Sequence, residues 1–215
     1  MPKTVFFTFD DGPKSVTGEV LDVLKTHACA SVFFLTGSGV IGLGEEKQRE
    51  LTKRIKAEGH TLANHCFIHK PAKKAEYIAA YGDMTKPEQK AAFKKNLDDN
   101  TKHFKKLLGD ENIELKLVRL PGDGRFHKPS VAEVGKLGFK HLGWDFEFAP
   151  NGTMGHIGHK DWQGVTGVSC TFDSFPLDNN VVLVHDAHWA GKMDLLSNLL
   201  KKFVDNDYKF RAIPG

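Results

Sequence analysis

Seven short apolar runs punctuate the chain, and segments with helical spacing lie between them. The runs cover residues 5–9, 30–35, 61–63, 115–120, 140–144, 181–184 and 208–212. Between them, Val20, Val23 and Leu24 share one helical face, as do Leu51, Ile55 and Glu58. Phe93, Leu97, Phe104 and Leu108 form another, with lysines opposite, and Leu195, Leu196, Leu199, Leu200, Phe203 and Val204 a fourth. Strands alternating with helices imply parallel pairing, because a parallel neighbour needs a crossover long enough to hold a helix. About seven such units predict an α/β chain, a distorted barrel of seven or eight β/α repeats rather than an open sheet. Its 215 residues suit one domain, residues 1–215. Two stretches break the rhythm, 70–85 and 147–178, and long loops in compact domains are often functional.

Composition excludes several classes. A net charge of +3 is too weak to argue for nucleic acid. No apolar run approaches a membrane span, so no membrane insertion is expected. Cys29, Cys66 and Cys170 show no zinc-type spacing and read as buried or incidental thiols. The chain passes from Met1 straight into a strand, without a signal peptide. That fits a cytoplasmic protein, or a secreted, periplasmic or wall-associated one whose leader was removed. Oligomeric state is left open.

Ionisable residues gather where the strands end. Asp10 and Asp11 follow the first, within Thr8-Phe9-Asp10-Asp11-Gly12-Pro13, and His65 and His69 follow the third. Arg119 closes the fourth, Asp145 and Glu147 the fifth, His185 and Asp186 the sixth. In a parallel barrel these ends meet on one face, where active sites are built. Taken alone, Asp-Asp-Gly-Pro reads equally well as turn chemistry. Alternation along a strand points Asp10 and Asp11 different ways, leaving one for a metal and one for a proton. His65 and His69, four apart, share one face of a helical turn and can grip one ion. With Asp11 as third ligand, positions stay open for water and substrate, which favours zinc, with cobalt, nickel or iron also accommodated. His185 suits a general acid. The fork of Arg119 suits holding Asp10.

In this order the residues resemble the NodB-type polysaccharide deacetylases, carbohydrate esterase family 4. Thr8–Pro13 resembles the first motif, His65-x-x-x-His69 the second, Arg119-x-Pro121 the third and Leu183-Val184-His185-Asp186 the fifth. The resemblance implies that Asp10 is the base, that Asp11, His65 and His69 are metal ligands, and that Arg119 positions the base. It also implies that His185 is the acid, with Leu183 lining the acetyl pocket and Pro121 beside the substrate. Asp161-Trp162 matches the fourth motif if residues 148–160 are an insertion; Asp161 would then tune His185, with Asp145 or Glu147 as contiguous alternatives. Cys66 stands where the family has Ser or Thr, and Gly122-Asp123-Gly124 replaces the expected aromatic residue. The implied activity is hydrolytic release of acetate from N-acetylglucosamine units of a chitin-like or peptidoglycan-like glycan, with Trp144, Trp162 and Trp189 as stacking surfaces. Rival readings are a small amide or imide hydrolase on this barrel, a non-catalytic carbohydrate-binding protein, and a phosphate-ester hydrolase whose Asp-x-Asp spacing is missing.

Overall fold

The computed structural model describes residues 3–37, 43–69, 82–124, 128–148 and 180–214. The strands among these residues are β1 (Lys3–Gly12), β2 (Ser31–Leu35), β3 (Thr61–Asn64), β4 (Leu117–Val118), β5 (Lys140–His141), β6 (Phe146–Glu147), β7 (Asn180–His185) and β8 (Tyr208–Phe210). The helices among the described residues are α1 (Thr17–Thr26), α2 (Glu45–Ala57), α3 (Pro87–Leu108), α4 (Lys128–Lys136) and α5 (Met193–Asp205). Among the described residues every pairing is parallel, in the order β5-β4-β3-β2-β1-β7-β6, with β8 beside the start of β1. β1 is thus central, and the expected distorted barrel is the architecture.

Two faces of β1 explain the layers. Val5, Phe7 and Phe9 point outward into a core shared with Val20, Leu21 and Leu24 of α1 and Leu196, Leu199, Leu200 and Phe203 of α5. Fully burying each of those α5 side chains contributes about 1.5–3 kcal/mol. Leu195 and Val204 fall outside this stripe and are exposed, because a face spanning all six residues is wider than the sheet it covers. The alternate residues Thr8 and Asp10 point inward. There Val32, Phe34, Ala63 and Leu117 form a separate small core.

The strand boundaries differ from expectation in one consequential place. The run 140–144 is not one strand ending in Asp145 and Glu147. β5 stops at His141, and Glu147 lies on β6, paired to β7 with Glu147 opposite Leu183. Asp145 leads into β6, its backbone N–H donating to the Val181 carbonyl at 2.8 Å and its Oδ2 accepting from Val181 N at 2.9 Å. Most of 70–85 and 147–178 lies outside the described residues. Cys29 and Cys66 are buried free thiols. Burial pushes Cys29 up to about 12, which leaves it an inert thiol. None of the described helices is long and apolar enough to cross a membrane.

Candidate metal and catalytic site

The strand ends do converge, and a bulge at the end of β1 sets the geometry. Asp10 pairs with Phe34 and Gly12 with Leu35, so Asp11 is the extra residue, at φ 69°. A bulge of this kind re-aims a side chain. Strict alternation therefore fails: both carboxylates reach His65. Asp10 Oδ2 lies 3.6 Å and Asp11 Oδ1 3.4 Å from His65 Nε2, and Asp11 Oδ1 lies 3.2 Å from His69 Nε2. The left-handed residue also explains the Asp-Gly-Pro sequence, since Asp tolerates that conformation better than most residues. Turn and site are one feature here.

His65 and His69 do not sit on a helical turn as their spacing suggested. Cys66 between them is left-handed, φ 67°, which no α-helix permits. Asparagines impose this path. Asn64 Oδ1 accepts from Cys66 N at 2.8 Å, and Asn96 Oδ1 accepts from Ile68 N at 2.7 Å. Buried Asn100 of α3 donates to the Leu35 carbonyl at 2.8 Å and to Asn64 Oδ1 at 2.9 Å. The turn is thus pinned to α3 by hydrogen bonds that need no metal.

His65 has a fixed tautomer. Its Nδ1–H donates to the Arg119 carbonyl at 2.6 Å, which turns the Nε2 lone pair toward Asp11. Second-sphere bonds of this type orient ligating histidines. Asp11 Oδ1 is buried and accepts no hydrogen bond among the described residues. The three ligand atoms of Asp11, His65 and His69 lie within 4.8 Å of one another. A tetrahedral ion with bonds near 2.0 Å holds its ligands roughly 3.3 Å apart, close to the 3.4 and 3.2 Å found around Asp11 Oδ1. An orphaned anionic oxygen between two imidazole nitrogens fits a divalent cation.

The protein without metal shows the same strain in its protonation. Burial opposes the Asp11 charge, but His65 foremost, then His69 and His185, outweigh it and hold the carboxyl well below the usual range. Burial also opposes a charged His65, and Asp10, followed by Asp11, outweighs it and raises that imidazole. For His69 the balance goes the other way: burial and then the neighbouring His65 outweigh Asp11 and Asp10 and push it down to about 4. A neutral imidazole there can offer its lone pair to an ion.

Arg119 is fully buried inside the barrel. Nη1 donates to Asp10 Oδ1 and to Thr8 Oγ1, both at 2.8 Å, Nε donates to the Leu142 carbonyl at 3.0 Å and Nη2 to that of Gly143 at 2.9 Å. Its plane lies 4.2 Å from the Phe34 ring centroid and 5.6 Å from that of Trp144. Asp10 is thus locked through Oδ1, and Oδ2 is left facing the candidate ion.

His185 stands across the site, its Nε2 3.9 Å from Asp11 Oδ2. Behind it, Nδ1 lies 3.4 Å from Glu147 Oε1. That contact is an ion-pair approach, not a well-aligned hydrogen bond, since Nδ1 has no bonded partner by angle. Glu147 reaches it because β6 pairs with β7 and presents Glu147 on the same face as Leu183 and His185. Asp145, the other contiguous candidate, is committed to the Val181 backbone. Asp161 and Trp162 lie outside the described residues. Leu183 is buried on the inner face beside Thr8, and buried Pro121 opens a 3-10 turn directly after β4. Trp144 and Trp189 are 5% and 2% exposed. They are core residues, and neither presents a face for a sugar to stack on.

Comparison with known proteins agrees with this geometry. Residues 1–142 match the polysaccharide deacetylase family model. The chain is 31% identical over 148 residues to the peptidoglycan-N-acetylmuramic acid deacetylase PdaA of Bacillus subtilis, covering 68% of this chain and 48% of that protein. It is 30% identical over 212 residues to the peptidoglycan-N-acetylglucosamine deacetylase PgdA of Listeria monocytogenes, covering 98% of this chain and 38% of that protein. It thus spans half or less of the length of these relatives. The structure of a CE4 esterase from Streptococcus mutans superposes with a TM-score of 0.70 at 22% identity, over 98% of this chain and 86% of that one. By the matched family model, the chain belongs to the polysaccharide deacetylase family.

Proposed function

We propose that the chain is a metal-dependent N-deacetylase that hydrolyses the acetamide of an N-acetylated amino sugar in a glycan, releasing acetate. The observation that carries this reading is the juxtaposition of the Asp11–His65–His69 triad with the Arg119-locked Asp10 on one side and His185 on the other. The relatives' names, which specify N-acetylmuramic acid and N-acetylglucosamine in peptidoglycan, support the choice of substrate class. The donor set, two imidazoles and one carboxylate with open positions, favours zinc.

A divalent ion in this triad would polarise the acetyl carbonyl and make a water acidic enough to attack near neutral pH. The chain's own groups handle the protons. Asp10, with Oδ1 held by Arg119, accepts the proton of the attacking water on Oδ2 while the new C–O bond forms at the amide carbon. His185, on the far side of Asp11, delivers a proton to the nitrogen as the C–N bond breaks. The products are acetate and a free amine, so atoms and charges balance. Glu147 behind Nδ1 holds the imidazole so that Nε2 faces the reacting centre. In a general acid–base scheme each such group contributes on the order of 10²–10⁴ in rate.

The test is acetate release from chitin oligosaccharides and from peptidoglycan fragments by wild type, Asp10→Asn and His65→Ala. Wild type releases acetate and both variants lose nearly all of it. Undiminished release by either variant refutes the scheme.

A further inference from the structure

Asp186 follows His185 in sequence, is fully buried, and takes no part in the proton scheme above. Both of its oxygens are engaged. Oδ1 accepts from Ala187 N at 2.8 Å, and Oδ2 accepts from the Thr17 hydroxyl at the start of α1. Thr17 in turn closes the turn that leads out of the bulge. Its Oγ1 accepts from Lys14 N at 2.7 Å and its N–H donates to the Lys14 carbonyl at 3.0 Å. Gly12 runs so close that a Cβ there would sit 3.1 Å from Asp186 Oδ2. A side chain at residue 12 would crowd that carboxylate, which would have to shift by a few tenths of an ångström.

Asp11 is therefore bracketed. On its N-terminal side Asp10 is tied to Arg119. On its C-terminal side the backbone of Gly12 and the Lys14–Thr17 turn rest on Asp186. A left-handed, non-glycine residue costs about 1–3 kcal/mol and persists only when its surroundings over-determine it. We propose that Asp186 is a positioning residue: through Thr17 and Gly12 it holds the bulge that keeps the Asp11 carboxylate at the point shared with His65 and His69. Because Asp186 is covalently joined to His185, one carboxylate fixes the spacing between the metal ligand of β1 and the acid of β7. The inference rests on the metal-site reading above and adds a residue that never touches the ion.

The test measures zinc affinity by competition with a chromogenic chelator, and the visible absorption of the cobalt-loaded protein, for Asp186→Ala, Thr17→Val and Thr17→Ser. Asp186→Ala and Thr17→Val should weaken zinc binding about tenfold or more, as loss of outer-shell partners does, and alter the cobalt bands. Thr17→Ser, which keeps the hydroxyl, should restore both. With glycan substrate, kcat falls while KM stays near the wild-type value. If Thr17→Val melts like wild type and binds zinc within twofold of it, the proposal is wrong. If Asp186→Ala does not fold, the Thr17 pair decides, since valine keeps the shape and removes only the hydroxyl. A wild-type protein that binds no zinc overturns the metal-site reading, and this inference with it; wild-type binding with unaffected variants overturns the inference alone.

Discussion

Replacing Arg119 by methionine removes the guanidinium that binds Asp10 Oδ1 from inside the barrel, and its cost can be worked from the contacts. Asp10 is 3% exposed, so its carboxylate would lose a buried partner at 2.8 Å without gaining water. Breaking a buried ion pair from one side costs about 3–5 kcal/mol. The Leu142 and Gly143 carbonyls lose their donors too, and methionine only partly replaces the guanidinium on Phe34. For a chain of this length 1 kcal/mol moves Tm by roughly 2–4 °C, so Arg119→Met should melt roughly 6–20 °C below wild type. Asp10→Asn should cost less, because its amide oxygen still accepts from Nη1 and the carbonyls still serve Arg119. The double variant leaves no buried carboxylate unpaired and should be more stable than the two single losses predict, by about 2 kcal/mol. Arg119→Lys should not rescue activity. A single ammonium cannot reach Asp10, Thr8 and two loop carbonyls at once. Thermal and urea unfolding of the four proteins, with and without zinc, is the assay. Strictly additive losses, or an Arg119→Met variant within about 1 kcal/mol of wild type, would falsify the view that this pair is what fixes the base.

Two further expectations concern the acid and the ion. Glu147→Gln keeps the shape behind His185 but removes the charge at 3.4 Å; kcat for acetate release should fall roughly tenfold, a fraction of what loss of the acid itself costs, with zinc affinity unchanged, and an unchanged kcat would rule Glu147 out. Zinc affinity should rise with pH through and above the ordinary imidazole range, because protonated His65 cannot ligate and its carboxylate neighbours raise it; His69, near 4, is already neutral there. Only one proton is then displaced, giving a slope of at most about tenfold per pH unit, and a calorimetric titration that shows a flat or falling affinity contradicts this.

The fold was legible because apolar runs of three to six residues mark buried parallel strands. What escaped was short or irregular. β6 is two residues, Phe146–Glu147, with no run to announce it, so Glu147 read as the tail of the preceding strand. Only pairing to β7 brings it behind His185. Asp145 and Glu147, two apart, would share one face of an extended segment, so spacing alone does not tell which of them backs His185. The bulge at Asp11 and the left-handed Cys66 were hidden for a different reason. Spacing rules assume regular backbone, and both residues reach the site by leaving it. The asparagines at 64, 96 and 100 are invisible to pattern reading because Asn within a helix or at a strand end has no single structural meaning. The tryptophans misled because an aromatic side chain at a strand end suits a core as well as a sugar, and Trp144 serves as a wall beside Arg119.

Arg119 joins two parts of the chemistry that are usually described separately. Its guanidinium holds Asp10, while its carbonyl accepts the Nδ1–H of His65. Its N–H donates to the Asn64 carbonyl at 3.0 Å, one residue before that histidine. The proposed base and a proposed metal ligand thus hang from opposite ends of one buried residue, and a displacement that loosens one loosens the other. A carboxylate that must take a proton from a water has to sit within hydrogen-bond reach of it, so a shared anchor is a direct way to hold base and ion in register. The carbonyl bond to His65 survives any substitution at 119 that leaves the backbone in place. Loss of the side chain should therefore abolish proton transfer more completely than metal binding. That separation of effects distinguishes an anchor with two functions from a residue whose loss merely unfolds the site.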